Sequence, residues 1–429
     1  STWRRTLCGS PKGGADIPSR WAADVSPDKT PLALYPRPQM VRGSVEAASS
    51  LSKFRDAGDA STWQNLNGLW EWEPTTLASE PPFGRSLNGS ILVPFPVESC
   101  LSGVAPNSSA EIVQRMWYRL TFNLNNDNKN RGKDRMLLHF GAIDWQSTVY
   151  LNGKQLLNTD LQMNHTGGYS GISFDITDEV SSQTNELLVY AFDPSDRGVQ
   201  PNGKQRISAI DKPGGDQYTP SSGIWQTVWL ESVPSDAYIS SIDINQASMD
   251  TVTVAATVAG ACPDDGCVKY EVLMEDGATV LASATGGSSA WLNIQVPAPA
   301  KTWSPTSPYL YGLRVSTGTD TVLSYFGLRT FALSGHQGHA AQQQRPLLNG
   351  NFTFLAGFLD QSWWPDGQYT APSDEALAFD IKAVPSFGLN MIRLHQKVNP
   401  ERWYYHADRL GVIVFQDMVQ KYGGASKAT

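Results

Sequence analysis

The chain changes its hydrophobic rhythm once, and that change limits the folds open to it. Up to about Ser334 it reads as short apolar runs broken by turn residues, with no long amphipathic helix between them. Leu137–Ile143, Trp145–Leu151, Glu186–Phe192 and Gln226–Glu231 are such runs. The second of them turns through Asn152-Gly153, the strongest two-residue hairpin signal. Runs joined by turns this short pair antiparallel, because parallel neighbours need a long crossover. Beyond Ser334 apolar runs alternate with helical stretches, which is the pattern of a parallel α/β unit.

Domain limits follow from this reading. Residues 1–60 lack periodicity and are rich in Pro, Ser, Ala and Gly, so they are expected to form an extended N-terminal arm lying on the next domain. Residues 61–235 fit a β-sandwich of jelly-roll type. Residues 236–333 repeat the theme at the size of an immunoglobulin-like sandwich, without its Cys…Trp…Cys core. Residues 334–429 supply three strands and two helices. Phe352–Leu359 is expected as the first strand, Asn390–His395 as the second and Val412–Gln416 as the third. Ser373 is placed to cap the first helix, with Asp374 and Glu375 in its first turn and Pro385 at its end. Asn399 and Pro400 read as N-cap and first residue of the second helix, which Leu410-Gly411 closes.

Composition removes several classes of function. The net charge is −8, and the one basic stretch, Lys129–Arg135, is interrupted by Asn, Gly and Asp, which argues against nucleic acid and anionic membranes as partners. No apolar run is long enough to span a bilayer. Cys262 and Cys267 bracket a short turn suited to a disulfide, and Cys8 and Cys100 remain as a second pair. Four N-glycosylation acceptors occur, at Asn88, Asn107, Asn164 and Asn351. Disulfides and sequons together indicate a secreted, extracellular protein whose signal segment has been removed.

Several words of the sequence occur in a recognisable order. Asn65-Leu-Asn-Gly-Leu-Trp70, Val93-Pro-Phe-Pro-Val-Glu-Ser99, Met116-Trp-Tyr-Arg119, Tyr150-Leu-Asn-Gly153 and Ser222-Gly-Ile-Trp225 come first. Pro308-Tyr-Leu-Tyr311 and Phe326-Gly-Leu-Arg329 follow, then Trp364-Pro-Asp-Gly367 and Asn390-Met-Ile-Arg393. The chain thereby resembles family-2 glycoside hydrolases of the β-galactosidase, β-glucuronidase and β-mannosidase type. The resemblance implies a jelly roll, an immunoglobulin-like domain and then a (β/α)8 TIM barrel. It also implies retaining hydrolysis by two carboxyl groups about 5–5.5 Å apart, one nucleophile and one acid/base. In the family these follow barrel strands four and seven, and this sequence stops after strand three. Neither catalytic carboxylate is therefore expected on this chain, and the remaining strands are expected on a second fragment or in a continuation of the chain. The implied substrate is a terminal sugar of a larger carbohydrate, galactose-type as first guess, with glucuronic acid and mannose behind it. No cofactor and no metal are assigned. The alternative is a non-catalytic carbohydrate-binding protein, for which the first sandwich alone would suffice.

The residues expected to support the site lie at the C-terminal ends of the three parallel strands, where barrel active sites form. Asp360 ends the first strand, where it either accepts hydrogen bonds from sugar hydroxyls or caps the following loop. Trp363 and Trp364 follow, as a stacking wall or as packing under the sandwich. Arg393 matches a family arginine able to orient the nucleophile, or forms a structural ion pair. His395 shares its strand face by period two. Asp417 matches an acidic position at the third strand end. Asp216, in a sandwich loop, matches a family aspartate that reaches the terminal sugar, or is a solvated acid. His139 and His165 read as structural, and His336 and His339 as linker residues without metal.

Overall fold

The computed structural model describes residues 18–43, 56–59, 61–76, 80–129, 132, 134–158, 165–263, 265–318, 320–334 and 344–420. Antiparallel pairing dominates up to Phe352. A seven-stranded sheet runs in the order His165–Thr166, Gln146–Leu151, Thr184–Phe192, Arg115–Asn123, Gly68–Pro74, Gly89–Val93, with Lys154–Leu156 also on Gln146–Leu151. A four-stranded sheet, Ile172–Asp175, Arg135–Phe140, Val228–Val233 and Trp63–Asn65, closes over it. Period two decides what is enclosed. In Gln146–Leu151 the residues Ser147, Val149 and Leu151 are buried, while Gln146, Thr148 and Tyr150 face outward. Asn152 and Gly153 both take positive φ, 50° and 85°, as the hairpin turn requires.

The second sandwich has a five-stranded sheet and a three-stranded sheet around Ile239, Val254, Tyr270, Leu313 and Val322. Its five-stranded edge is not made by neighbouring sequence. Val41–Arg42 of the arm pairs antiparallel with Leu323 and Val322. The arm is thus not confined to the first sandwich. Tyr35 donates its hydroxyl to Glu231 Oε1 at 2.7 Å, and Trp21 packs edge-on against Trp364 and Phe379. It ties all three units together.

The third unit is parallel. Strands β1 (Gly357–Asp360), β2 (Met391–Leu394) and β3 (Ile413–Gln416) lie in that order. Helices α1 (Asp374–Ser386) and α2 (Glu401–Leu410) connect them. Phe352–Leu359 is not one strand: Asn351–Phe352 belongs to a small antiparallel sheet, and β1 starts only at Gly357. Ser373 caps α1, its side chain accepting from the Ala376 amide at 3.1 Å. The helix runs one residue past Pro385. Helix α2 starts one residue later than the sequence suggested, with Pro400 at the cap. The Asn399 amide group turns away from it and donates to Ser362 Oγ at 2.8 Å. Gly411 ends α2 at φ 75°, and a Cβ there would sit 2.5 Å from the Pro305 carbonyl of the second sandwich. One face of the parallel sheet is covered, with Ile392 and Leu394 packed among Ile381 and Trp403.

Cys262 and Cys267 form a disulfide. Cys100 is disulfide-bonded as well, while Cys8 lies outside the described residues. Among the described residues no helix is long and apolar enough to cross a membrane.

Candidate active site

The parallel register sorts the expected residues onto two faces. Leu359, Arg393 and Phe415 are aligned across β1, β2 and β3 on the face away from the helices. By period two His395 and Asp417 belong to that same face. They meet there: Asp417 Oδ2 accepts from Arg393 Nη2 at 2.9 Å and from His395 Nδ1 at 2.8 Å, and Oδ1 accepts from Arg393 Nε at 3.1 Å. The carboxylate holds the Arg393 guanidinium above its ordinary range. Burial lowers the His395 pKa, and the Asp417 charge opposes that shift only in part. A neutral ring donating Nδ1–H to Asp417 leaves Nε2 as an acceptor.

Asp360 is aligned instead with Leu394 and Gln416, on the helix side. Its carboxylate accepts from the Ser362 amide at 2.6 Å and the Ser362 hydroxyl at 3.2 Å. Burial pushes its pKa up, against those bonds and the charge of Lys397. In this structure it caps the loop and does not join Arg393.

A loop of the first sandwich, from Asp193 to Ser222, reaches across to these strand ends. Gly203 touches them, its amide donating to the Gln420 carbonyl at 2.9 Å. At φ +54° a Cβ on this residue would lie 2.6 Å from the Gln396 carbonyl, so only glycine fits. Beside it Lys204, almost fully buried, donates to the Asp216 carbonyl at 2.9 Å and faces Oδ2 at 3.4 Å. Its charge is felt at His395. Asp216 itself remains 73% exposed. Three buried carboxyl groups pin the loop from below. Gln205 Nε2 donates to Asp144 Oδ2 at 2.8 Å, Ser222 Oγ to Asp193 Oδ2 at 2.7 Å, and the Ser222 amide to Glu98 Oε2 at 2.8 Å. Burial pushes Glu98 up to about 7, Asp193 up to about 6, and Asp144 well above the carboxylate range.

The two tryptophans part company. Trp363 lies between Tyr218 of the sandwich loop, 4.7 Å between centroids, and Tyr369 at 4.5 Å, and is half-buried. Trp364 packs edge-on against Trp21 of the arm at 5.7 Å, at the border of the helix-side core. A cleft of about 600 Å³ opens along β1, lined by Tyr218, Phe358, Asp360, Trp363, Asp380 and Ile392. Phe358 and Ile392 in its lining belong to the helix side, while Leu359 belongs to the face of Arg393, so the cleft runs around the free edge of β1.

The structural histidines are engaged elsewhere. His139 Nδ1 meets Ser173 Oγ at 2.7 Å, and burial lowers its pKa to about 4. His165 Nε2 meets the Gly167 carbonyl at 2.8 Å. His336, His339 and Asn164 lie outside the described residues. Among the described residues no three His, Cys, Asp or Glu side chains converge as a metal site. Sequence reasoning missed Gly203, Lys204 and Lys397. The signal was the length of the 193–222 connection, far beyond the usual loop, which marks functional segments.

Two family models match the chain: the glycosyl hydrolase 2 galactose-binding domain-like model over residues 107–220, and the glycosyl hydrolases family 2 model over residues 237–329. Both models describe domains of glycoside hydrolase family 2, to which these two segments are similar. It is 25% identical over 325 residues to a putative β-glucuronidase of Formosa agariphila, covering 73% of this chain and 36% of that protein. It is 23% identical over 313 residues to a β-galactosidase of Thermoanaerobacter pseudethanolicus, covering 70% of this chain and 39% of the relative. Among solved structures, the Ruminococcus gnavus β-glucuronidase superposes with a TM-score of 0.65 at 20% identity, covering 84% of this chain and 57% of that one. That of Bifidobacterium dentium, complexed with coumarin-3-O-glucuronide, gives 0.64 at 20% identity, covering 84% and 62%. The chain thus spans well under half the length of these two curated relatives.

Proposed function

We propose that this chain is the front part of a secreted, exo-acting retaining β-glycosidase, and that its parallel unit opens a (β/α)8 barrel. The observation that carries the reading is the Arg393–His395–Asp417 cluster at the strand ends, facing a sandwich loop that touches the same ends. The rest of the barrel, downstream in the protein or on a second fragment, supplies both catalytic carboxylates. Its strands would cover the bare inner row of Leu359, 53% exposed, and Phe415, 46% exposed. Arg393, held protonated by Asp417, then orients the nucleophile carboxylate by a charge-assisted hydrogen bond. Asp216 would accept from hydroxyls of a terminal sugar, a role its 73% exposed side chain supports. A pocket closed by a loop from another domain suits removal of one terminal unit at a time.

A galactose-type terminal sugar is the first reading of the substrate. A glucuronide is the second, favoured by Lys204 and Arg393 as cations near the strand ends and by the β-glucuronidase names among the relatives. Secretion is supported by the Cys262–Cys267 disulfide and by the exposure of Asn88, Asn107 and Asn351.

The test is a panel of chromogenic β-galactosides, pyranose and furanose, β-glucuronides and β-mannosides, assayed with the purified full protein. Release from one of them supports the enzyme and identifies its sugar. Sugar binding without release from any would leave the carbohydrate-binding alternative.

A further inference from the structure

We infer that Lys397 is a positioning residue for the sugar site, its side-chain nitrogen clamping together the two feet of the loop that presents Trp363. The inference rests on the functional reading above. Lys397 is 1% exposed. Its Nζ donates to the Ser362 carbonyl at 2.7 Å and to the Tyr369 carbonyl at 2.8 Å. These two residues bound the loop that follows β1. The same nitrogen lies 4.7 Å from the Tyr369 ring centroid and 5.4 Å from that of Trp225, so the first sandwich supplies one of its walls.

The loop needs a clamp. Ser362 and Gln368, near its two feet, have φ of 50° and 54°, and Gln396, next to the lysine, has 61°. None is glycine, and side chains adopt this left-handed region only when surrounding contacts hold them there. Inside the loop Trp364 and Gln368 exchange two backbone hydrogen bonds at 2.8 and 2.9 Å. Trp363 Nε1 donates to Gln368 Oε1 at 2.9 Å, which sets the indole against Tyr218. Lys397 is also tied to the third strand, since Gln416 Nε2 donates to its carbonyl at 2.8 Å, one residue before Asp417. One residue thus connects the aromatic wall, through its side chain, with the strand that carries Asp417, through its main-chain carbonyl.

A methionine of similar length would fill this space without the cost of burying an amine. What the lysine adds is the pair of N–H bonds to the loop feet. Burial lowers its pKa to about 7. A neutral amine still carries two hydrogens, enough for both carbonyls, so the clamp does not depend on the charge.

The experiment compares the full protein with its Lys397→Met and Lys397→Gln variants by amide hydrogen exchange. In Lys397→Met the Trp364 and Gln368 amides should exchange at least about tenfold faster, while Val189 in the sandwich core is unchanged. Lys397→Gln keeps one donor group and should fall between. Unchanged protection at Trp364 and Gln368 overturns the inference, as does loosening that extends equally to Val189. With the glycoside that the panel identifies, Lys397→Met should raise KM about tenfold and change kcat by less than about threefold. Trp363→Ala should do the same, and the double variant should be no worse than either single one. Additive losses would overturn the role through Trp363. If the wild-type protein cleaves and binds no glycoside, the functional reading fails, and the exchange result decides the clamp by itself.

Discussion

The first sandwich and the parallel unit are comparably apolar, yet only one of them is closed. In the sandwich Leu138, Leu151, Val189 and Ile224 are all at 0% exposure, because two sheets cover each other's inner faces. In the parallel unit Ile392 and Leu394 are equally buried on the helix side, while Leu359 and Phe415 on the other face stay about half exposed. The contrast shows that apolar patterning sets which face seeks cover, and topology sets whether cover is available. Antiparallel hairpins bring their own partner sheet with them. The three-stranded parallel sheet brings helices to one face only and, among the described residues, has no partner sheet for the other.

The severest way to break the comparison lies at the closed end. Glu231 is fully buried, with Arg37 Nη2 at 2.6 Å, the Tyr35 hydroxyl at 2.7 Å and His139 Nε2 at 3.3 Å. Arg37 and Arg42 hold its carboxyl far below the usual range against the cost of burial. Glu231→Ala strands those cations and should cost about 3–5 kcal/mol in denaturant unfolding. A loss under about 1 kcal/mol would mean that solvent reaches this centre.

The next effect tests the open end directly. In the full protein, Leu138→Ala and Phe415→Ala should each cost about 2–5 kcal/mol, since later strands are proposed to bury Phe415. If Phe415→Ala costs less than about 1 kcal/mol while Leu138→Ala costs the full amount, the inner face stays uncovered and the barrel proposal fails.

The smallest effect concerns two acid centres within the sandwich that pull in opposite directions with pH. Glu231, whose pKa is depressed, contributes stability above the unfolded carboxylate value and loses it as pH falls below that value. Glu98 and Asp193, raised to about 7 and about 6, contribute below the unfolded value near 4 and lose that contribution as pH rises to between 6 and 7. Glu98→Gln should therefore gain on the order of 1–2 kcal/mol at pH 8 relative to wild type and little at pH 4. Melting curves across that range check the sign. Equal shifts at both ends would show that Glu98 does not titrate between them.

Much of the fold was legible because it is written in local rules. The Asn152-Gly153 turn, the Ser373 cap and the Gly411 stop each follow from what one residue can do with its own backbone. Period two on β2 put Arg393 and His395 on one face. Local rules failed wherever a distant partner competed. Asn399 has the chemistry of a cap, but its side chain is engaged by Ser362. Asp360 ends its strand as expected, yet the register with Leu394 turns it to the helix side. Trp364 is drawn to Trp21, and Val41–Arg42 to an edge in the second sandwich, across separations that no local window spans.

The sequence by itself determined the order of architectures, the turns, and the residue types at the strand ends. Each of these depends on backbone preference and on the spacing of apolar side chains within one element. Only the tertiary structure decided that Gly203 meets Gln396, that Lys204 stands by Asp216 near His395, and that Lys397 closes a loop 28 residues earlier in the chain. Such contacts arise where two units pack, as at Gly203, or where distant segments of one unit meet, as at Lys204 and Lys397, and there hydrogen-bond demand at carbonyls selects the partners.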